Sequence, residues 1–346
     1  MRRVPVFKIL MRIVVSAGSG VALWFLSAGF AYAHEAYVVN RDYFWQQLAA
    51  PVSAQAWEAL KNKVDLHITL QVVGGFLVVL FLNAWFRRTR LGMRVHHAFE
   101  HLAPYGSLFV RSAIAIAFFY SALSWSFLGP ELLLRQMPVP VLLRALLFVS
   151  SILIAVGWYT EIAAFITLII FLIGWRTFGM YMVTYLNYFG EIVALLLFGT
   201  RTWSFDRVLR GTHVFFESWK RYETTIVRVC YGIALMYAAL VVKFLHPALT
   251  IHVVTTWHLT QFHWLFPSDP VLVTLGAGLA EFAIGLFIFL GFELRLTVLI
   301  SLFYITLSLI YFRELVWPHV LLYGISLNLL VQPERFTLDR LFFRKK

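Results

Sequence analysis

Charge is scarce in this chain. Only 13% of its 346 residues are charged and 61% are hydrophobic, with a mean hydropathy of +0.78. A soluble domain keeps roughly a quarter of its residues charged, so the balance excludes a soluble globule and points to an integral membrane protein. Cysteine is almost missing: Cys230 stands alone inside an apolar stretch. That excludes an intrachain disulfide, a CxxC pair and a Cys-based zinc site. No nucleotide-binding glycine loop, haem-attachment motif or convincing hydrolase constellation occurs, and an independent catalyst is not expected. The spans also lack the Gly/Pro interruptions of a broken-helix transport site. The net charge of +12 comes from bases between apolar stretches, where it reports orientation and anionic lipid rather than nucleic acid.

What the chain does have is a repeat. Residues 109–132 and 226–249 align at a constant offset of 117 with eleven identities in 24 positions, among them Arg111/Arg228, Tyr120/Tyr237 and Pro130/Pro247. Later, Gly157 aligns with Gly291 and Phe189-Gly190 with Tyr323-Gly324 at offset 134. This reads as an internal duplication. The 17 residues gained, about 250–266, carry His252, Trp257, His258, His263 and Trp264. As a helix they place the three histidines too far apart for one metal, and a helix lying in the membrane interface is expected.

Taken in order, residues 1–33 have a basic start (Arg2, Arg3, Lys8, Arg12), an apolar middle and an Ala31-Tyr32-Ala33 end. These are the parts of a secretory signal peptide; an uncleaved anchor is the alternative. Cleavage would leave His34 first, where amine and imidazole together suit copper. The plainer reading is that His34 merely follows the cleavage site, and no metal is expected. Residues 34–63 read as an exported amphipathic segment on the membrane surface, with Ser53 capping a short helix. Residues 64–106 hold a leading span (66–86) and a basic loop with Arg87, Arg88, Arg90 and Arg94, which places that end in the cytoplasm. In this loop His97, Glu100 and His101 match an inverted zinc-peptidase pattern. A short loop offers no third ligand, so a surface amphipathic helix is preferred.

The first repeat, 107–224, holds spans 107–127, 141–158, 162–178 and 182–198. The second, 225–346, holds spans 225–245, 271–290, 294–311 and 316–331. The expected fold is all-α: nine spans after the signal, one leading helix plus two parallel four-helix repeats. The expected place is a bacterial-type inner membrane, with the N-terminal segment exported and a basic cytoplasmic tail.

Ionisable groups inside hydrocarbon are costly and default to functional candidates. Arg111 and Arg228 sit near span ends and are expected to snorkel. Glu191 and Glu281 fall near the middle of their spans. Each suits proton transfer or the polar head of a quinone; the competing reading is hydrogen-bonded packing. Lys243 is the named cation for Glu281, unless it snorkels to headgroups. With His246, His319 and Asn328 it completes a candidate polar pocket; Asn187 and Glu191 form the corresponding cluster in the first repeat.

The run Val241-Val242-Lys243-Phe244-Leu245-His246-Pro247, the Ala280-Glu281 helix and the Gly291-Phe-Glu-Leu-Arg295 turn resemble the DoxX-like superfamily, which includes DoxD and MauE-type members. The resemblance covers about 225–333 and, more weakly, 107–209. It implies a four-helix unit associated with quinone- or sulfur-linked membrane redox chemistry, and it marks Lys243, Glu281, Gly291 and Arg295. The function expected on this basis is support of quinone-linked electron transfer, at most as a subunit of a membrane oxidoreductase. A quinone, a redox partner subunit or a second copy of the chain are the expected associates beside the bilayer. The alternatives are a transporter of a small solute, metal ion or protons, and an assembly factor.

Overall fold

The computed structural model describes residues 38–51, 58, 66–199, 204–210, 217–261, 267–332 and 336–338. The signal segment, His34, the Ser53 cap, His263 and Trp264 lie outside them.

The described residues are helical apart from a two-stranded hairpin, β1 (Ser126–Phe127) with β2 (Gly129–Leu133). The helices are α1 (Arg41–Ala49), α2 (Leu66–Arg88), α3 (Arg90–Leu102), α4 (Gly106–Ser124), α5 (Pro140–Val156), α6 (Thr160–Phe178), α7 (Leu186–Phe198), α8 (Phe205–Arg210), α9 (Glu223–Ala238), α10 (Pro247–Thr256), α11 (Pro270–Leu290), α12 (Leu294–Tyr311) and α13 (Val320–Val331). Five stretches are long and apolar enough to cross a membrane: Arg90–Ser124, Thr160–Phe198, Trp219–Leu245, Pro270–Leu290 and Leu294–Tyr311. Pro140–Val156 and Trp317–Val331 are apolar but shorter. This is the make-up of a multi-pass membrane protein. The Thr160–Phe198 stretch folds back at Gly179 (φ 60°, ψ −144°), so that α6 and α7 lie against each other.

Local sequence sets the helix ends. α11 starts at Pro270, whose missing N–H is not needed there, and Asp269 accepts a 2.8 Å hydrogen bond from Val271 N. α5 and α11 both stop at a left-handed glycine, Gly157 (φ 69°) and Gly291 (φ 65°). The next helices, α6 and α12, begin after left-handed Tyr159 and Glu293.

Packing follows one order twice. α4 lies on α5, α5 on α6 and α6 on α7; α9 lies on α11, α11 on α12 and α12 on α13. Two further seams join the sets, α4 against α13 and α7 against α9. The α9–α11 contact is close. A Cβ at Gly232 would stand 2.6 Å from Phe289 N, and one at Gly285 2.8 Å from Met236 N. Small residues let the two backbones touch where burial of apolar surface alone gives helices in lipid little reason to associate.

Arg111 and Arg228 are buried rather than snorkelling. Arg228 donates to the carbonyls of Ile288 (2.8 Å), Phe289 and Phe336 (2.6 Å). The last carbonyls of α11 have no partners within the helix, and the guanidinium supplies them. At the start of α6, the Asp206 carboxylate accepts from Tyr159 N (3.0 Å) and Thr160 N (3.1 Å), an acid at a helix N-terminus.

α1 was expected on the lipid surface and instead docks on protein. Phe44 is 0% exposed, packed with Val242 and Leu249, and meets Tyr181 edge-on at 5.6 Å. Trp45 stacks on Phe178. An aromatic pair this large gains more from a shaped apolar slot than from headgroups. Among the described residues of the extra connection, α10 is followed by left-handed His258 (φ 52°) and a 3-10 turn at Leu259–Gln261, and Tyr311 donates to the Trp257 carbonyl at 2.7 Å.

Alanine is the better helix former, yet Gly232→Ala and Gly285→Ala should each lower stability by about 1–3 kcal/mol, because the new Cβ meets backbone. Gly276→Ala, which meets nothing within 4 Å, should not. Thermal unfolding in detergent separates the two cases.

Candidate functional site

Lys243 and Glu281 meet between the apolar helices. Beyond Ala238 the chain continues as a π-helical turn, Ala239–Leu245, in which His246 N donates to Val241 O at 3.1 Å. Such turns are rare and concentrate at functional sites. This one holds Lys243 toward α11, its Cβ level with Gly278. α9 and α11 run antiparallel, and helical side chains lean toward the N-terminus of their own helix. Lys243 and Glu281 therefore lean toward each other, and Nζ lies 2.7 Å from Oε2 with side chains 9% and 18% exposed. Tyr304 of α12, exposed on the outer surface, is within electrostatic reach of both.

The other candidates go elsewhere. His319 Nε2 lies 2.7 Å from Glu314 Oε2, and Ser308 donates to the same carboxylate. His246 begins α10, where burial holds its imidazole below the ordinary pKa against a hydrogen bond to the Gln47 backbone. Asn328 lies beside Gly106 of α4 and shares a cavity with Glu191. Asn187, one turn from Glu191, lines a different cavity. The five-residue pocket expected around Glu281 thus reduces to Lys243 and Glu281.

Gly291 and Arg295 shape the turn at the basic end of the bundle, the end that carries Arg87, Arg88 and Arg94. A Cβ at Gly291 would stand 2.6 Å from Thr337 Cγ2. Arg295 contacts His96 and lies over the Phe99 ring of α3 at 5.8 Å. Between them, Glu293 receives Arg87 and Asn83 of α2, each at 2.7 Å. The turn fastens the leading helices. In α3, His96 and His97 both approach Glu100, at 3.2 and 3.3 Å. Among the described residues no three His, Cys, Asp or Glu gather for a metal ion.

No family model, curated protein or solved structure matches this chain. What the site does follows from its own residues. An ammonium and a carboxylate held together among apolar helices offer one strong donor and one strong acceptor at the edge of the bundle. They can bind a neutral polar head whose tail stays in lipid, or exchange a proton with it.

Sequence reasoning missed two buried acids in connections. Glu131, 1% exposed, accepts from Tyr181 (3.0 Å) and Tyr185. Glu314 holds His319. Both stand between spans, where an acid reads as solvated; the aromatic residues Tyr181 and Tyr185 were the one signal that something buried waited there.

Removing one partner of a buried pair leaves the other charge uncompensated, at a cost of about 3–5 kcal/mol. Lys243→Met and Glu281→Leu alone should each destabilise strongly, whereas the double variant should recover most of the loss. A double-mutant cycle on unfolding midpoints checks the pairing.

Proposed function

We propose that the Lys243–Glu281 pair receives the headgroup of a lipid-soluble quinone, and that the chain supports quinone-linked electron transfer in the membrane of a bacterial-type cell. The observation that carries this reading is the 2.7 Å ion pair at the rim of apolar helices, beside the outward-facing Tyr304 hydroxyl. The ammonium donates to a quinone carbonyl, and the carboxylate accepts from a quinol hydroxyl. A quinone supplies reversible two-electron chemistry; the chain contributes binding, orientation and a proton at Glu281. Electrons pass to or from a redox partner subunit, as the resemblance of this chain's own Lys243, Glu281 and Gly291–Arg295 motifs to the DoxX-like superfamily implies.

The same reading takes the fold as a duplication. Equal packing order in the two sets, left-handed Gly157 and Gly291, and buried Arg111 and Arg228 support it. With an even number of spans per repeat both copies insert the same way up, the basic end facing the cytoplasm and α1 and the β1–β2 hairpin the exported side. Lys243 aligns with Ser126 and Glu281 with Leu147, so only the second repeat carries the pair.

The test is gentle purification from native membranes, followed by mass spectrometry of bound lipids, quinones and proteins. Wild type should carry a quinone that Glu281→Gln loses while remaining folded. Wild type and variant equally free of quinone and redox subunits would overturn the reading and favour a packing role for the pair.

A further inference from the structure

The seam between α7 and α9 is open at both ends and shut in the middle. At the basic end lies a cavity of about 30 Å³, lined by Glu191, Arg111, Glu223 and Asn328. At the opposite end lies one of about 60 Å³, lined by Tyr185, Asn187, Tyr188 and Tyr231 and covered by Phe44. A water needs roughly 10–15 Å³ of such space and several polar partners. Each cavity has room for a few waters, and the partners are present. Asn187 Oδ1, Tyr188 Oη and Asn328 Oδ1 are buried and find no hydrogen-bond partner among the described residues, the condition that water normally relieves. Beyond the larger cavity, Tyr185 donates to the buried Glu131.

Between the cavities the helices meet at Gly190 and Cys230, where a Cβ on Gly190 would stand 2.6 Å from Cys230 Cβ. No solute or hydrated metal ion passes such a contact, but a proton does not need an opening. It needs a group that reaches both sides. Glu191 follows Gly190 directly, is 6% exposed and lines the basic-end cavity. Its side chain leans toward the N-terminus of α7, which is the direction of Asn187, one turn or about 6 Å away.

We propose that the α7–α9 seam conducts protons, with Glu191 as the carrier between two water-holding cavities. Its carboxylate takes a proton from hydronium in the basic-end cavity, forming one O–H bond as the hydronium loses one. It turns past Gly190, gives the proton to water beside Asn187 and Tyr188, and returns ionised; no electrons change hands. The charged groups facing it are Arg111 from α4, which balances the ionised form, and Glu223 from α9, which favours the protonated one. Ser107 from α4, Thr224 from α9, and Asn328 and Gln332 from α13 complete the wall with uncharged groups. This activity is independent of the Lys243–Glu281 site, which lies on the α9–α11 contact.

Full-length protein in liposomes holding a pH dye, driven by a potassium–valinomycin potential, provides the test. Wild type should acidify or alkalise the lumen faster than protein-free liposomes. Glu191→Gln should lose about tenfold or more of that rate, as expected for removal of an intramembrane proton relay. Flux should be the same whether or not the preparation carries bound quinone, which separates this proposal from the quinone reading. Should Glu191→Gln fail to elute as a folded species, Asn187→Leu, which dries the far cavity, carries the same expectation. Wild-type flux no greater than that of empty liposomes, or unchanged flux in a folded Glu191→Gln or Asn187→Leu, would overturn the proposal. So would equal conduction of sodium.

Discussion

α9 and α11 touch backbone to backbone at Gly232 and Gly285, and much of the structure hangs on that contact. It fixes the level of one helix against the other, and with it the level of Lys243 against Glu281. It brings the end of α11 within reach of Arg228, whose guanidinium supplies carbonyls that the helix itself leaves unpaired. The contact is therefore as much about where polar groups end as about where apolar ones pack.

The two ends of the bundle solve different problems. At the basic end, arginines and acids serve as structural ties: Arg228 on the end of α11, Asp206 on the start of α6, and Glu293 on Arg87 and Asn83. The last of these, with Arg295 on His96, holds α2 and α3 to the rest of the chain. At the opposite end the polar groups are enclosed by aromatic residues, with Glu131 among Tyr181, Tyr185 and Trp45, whose Nε1 approaches the Glu131 carbonyl at 3.4 Å. Charges near a boundary can borrow water; those under aromatic cover depend on hydroxyls.

The sequence announced the residues that were out of place. Glu281 stood out as the one charge in its span and Lys243 as a charge at the far end of its span from Arg228, and opposite helix directions made their meeting foreseeable. The tight turns at Gly157 and Gly291 were equally readable from apolar runs and glycine punctuation. The partners of His246, His319 and Asn328 were not. A residue near a span boundary can face any of several neighbours, and only packing decides; Asn328 turned to α4, and His319 took an acid from its own connection. Nor did any local pattern mark the π-helical turn, since the sequence there keeps ordinary helix-forming and β-branched residues up to Pro247. The docking of α1 was hidden for a related reason, because a short aromatic helix suits a membrane surface and a protein slot alike.

That slot has a bearing on how the chain assembles. Phe44 is made early, but the surfaces that hold it belong to Tyr181, Val242 and Leu249, made long afterwards. While the first half is being synthesised α1 finds little of its slot beyond the Glu131 carbonyl that Trp45 approaches. It must wait outside the bundle until residues two hundred positions later are in place, and its arrival joins the two halves from without. α1, made early, is thus fitted late, a clasp that closes only once Val242 and Leu249 are in place.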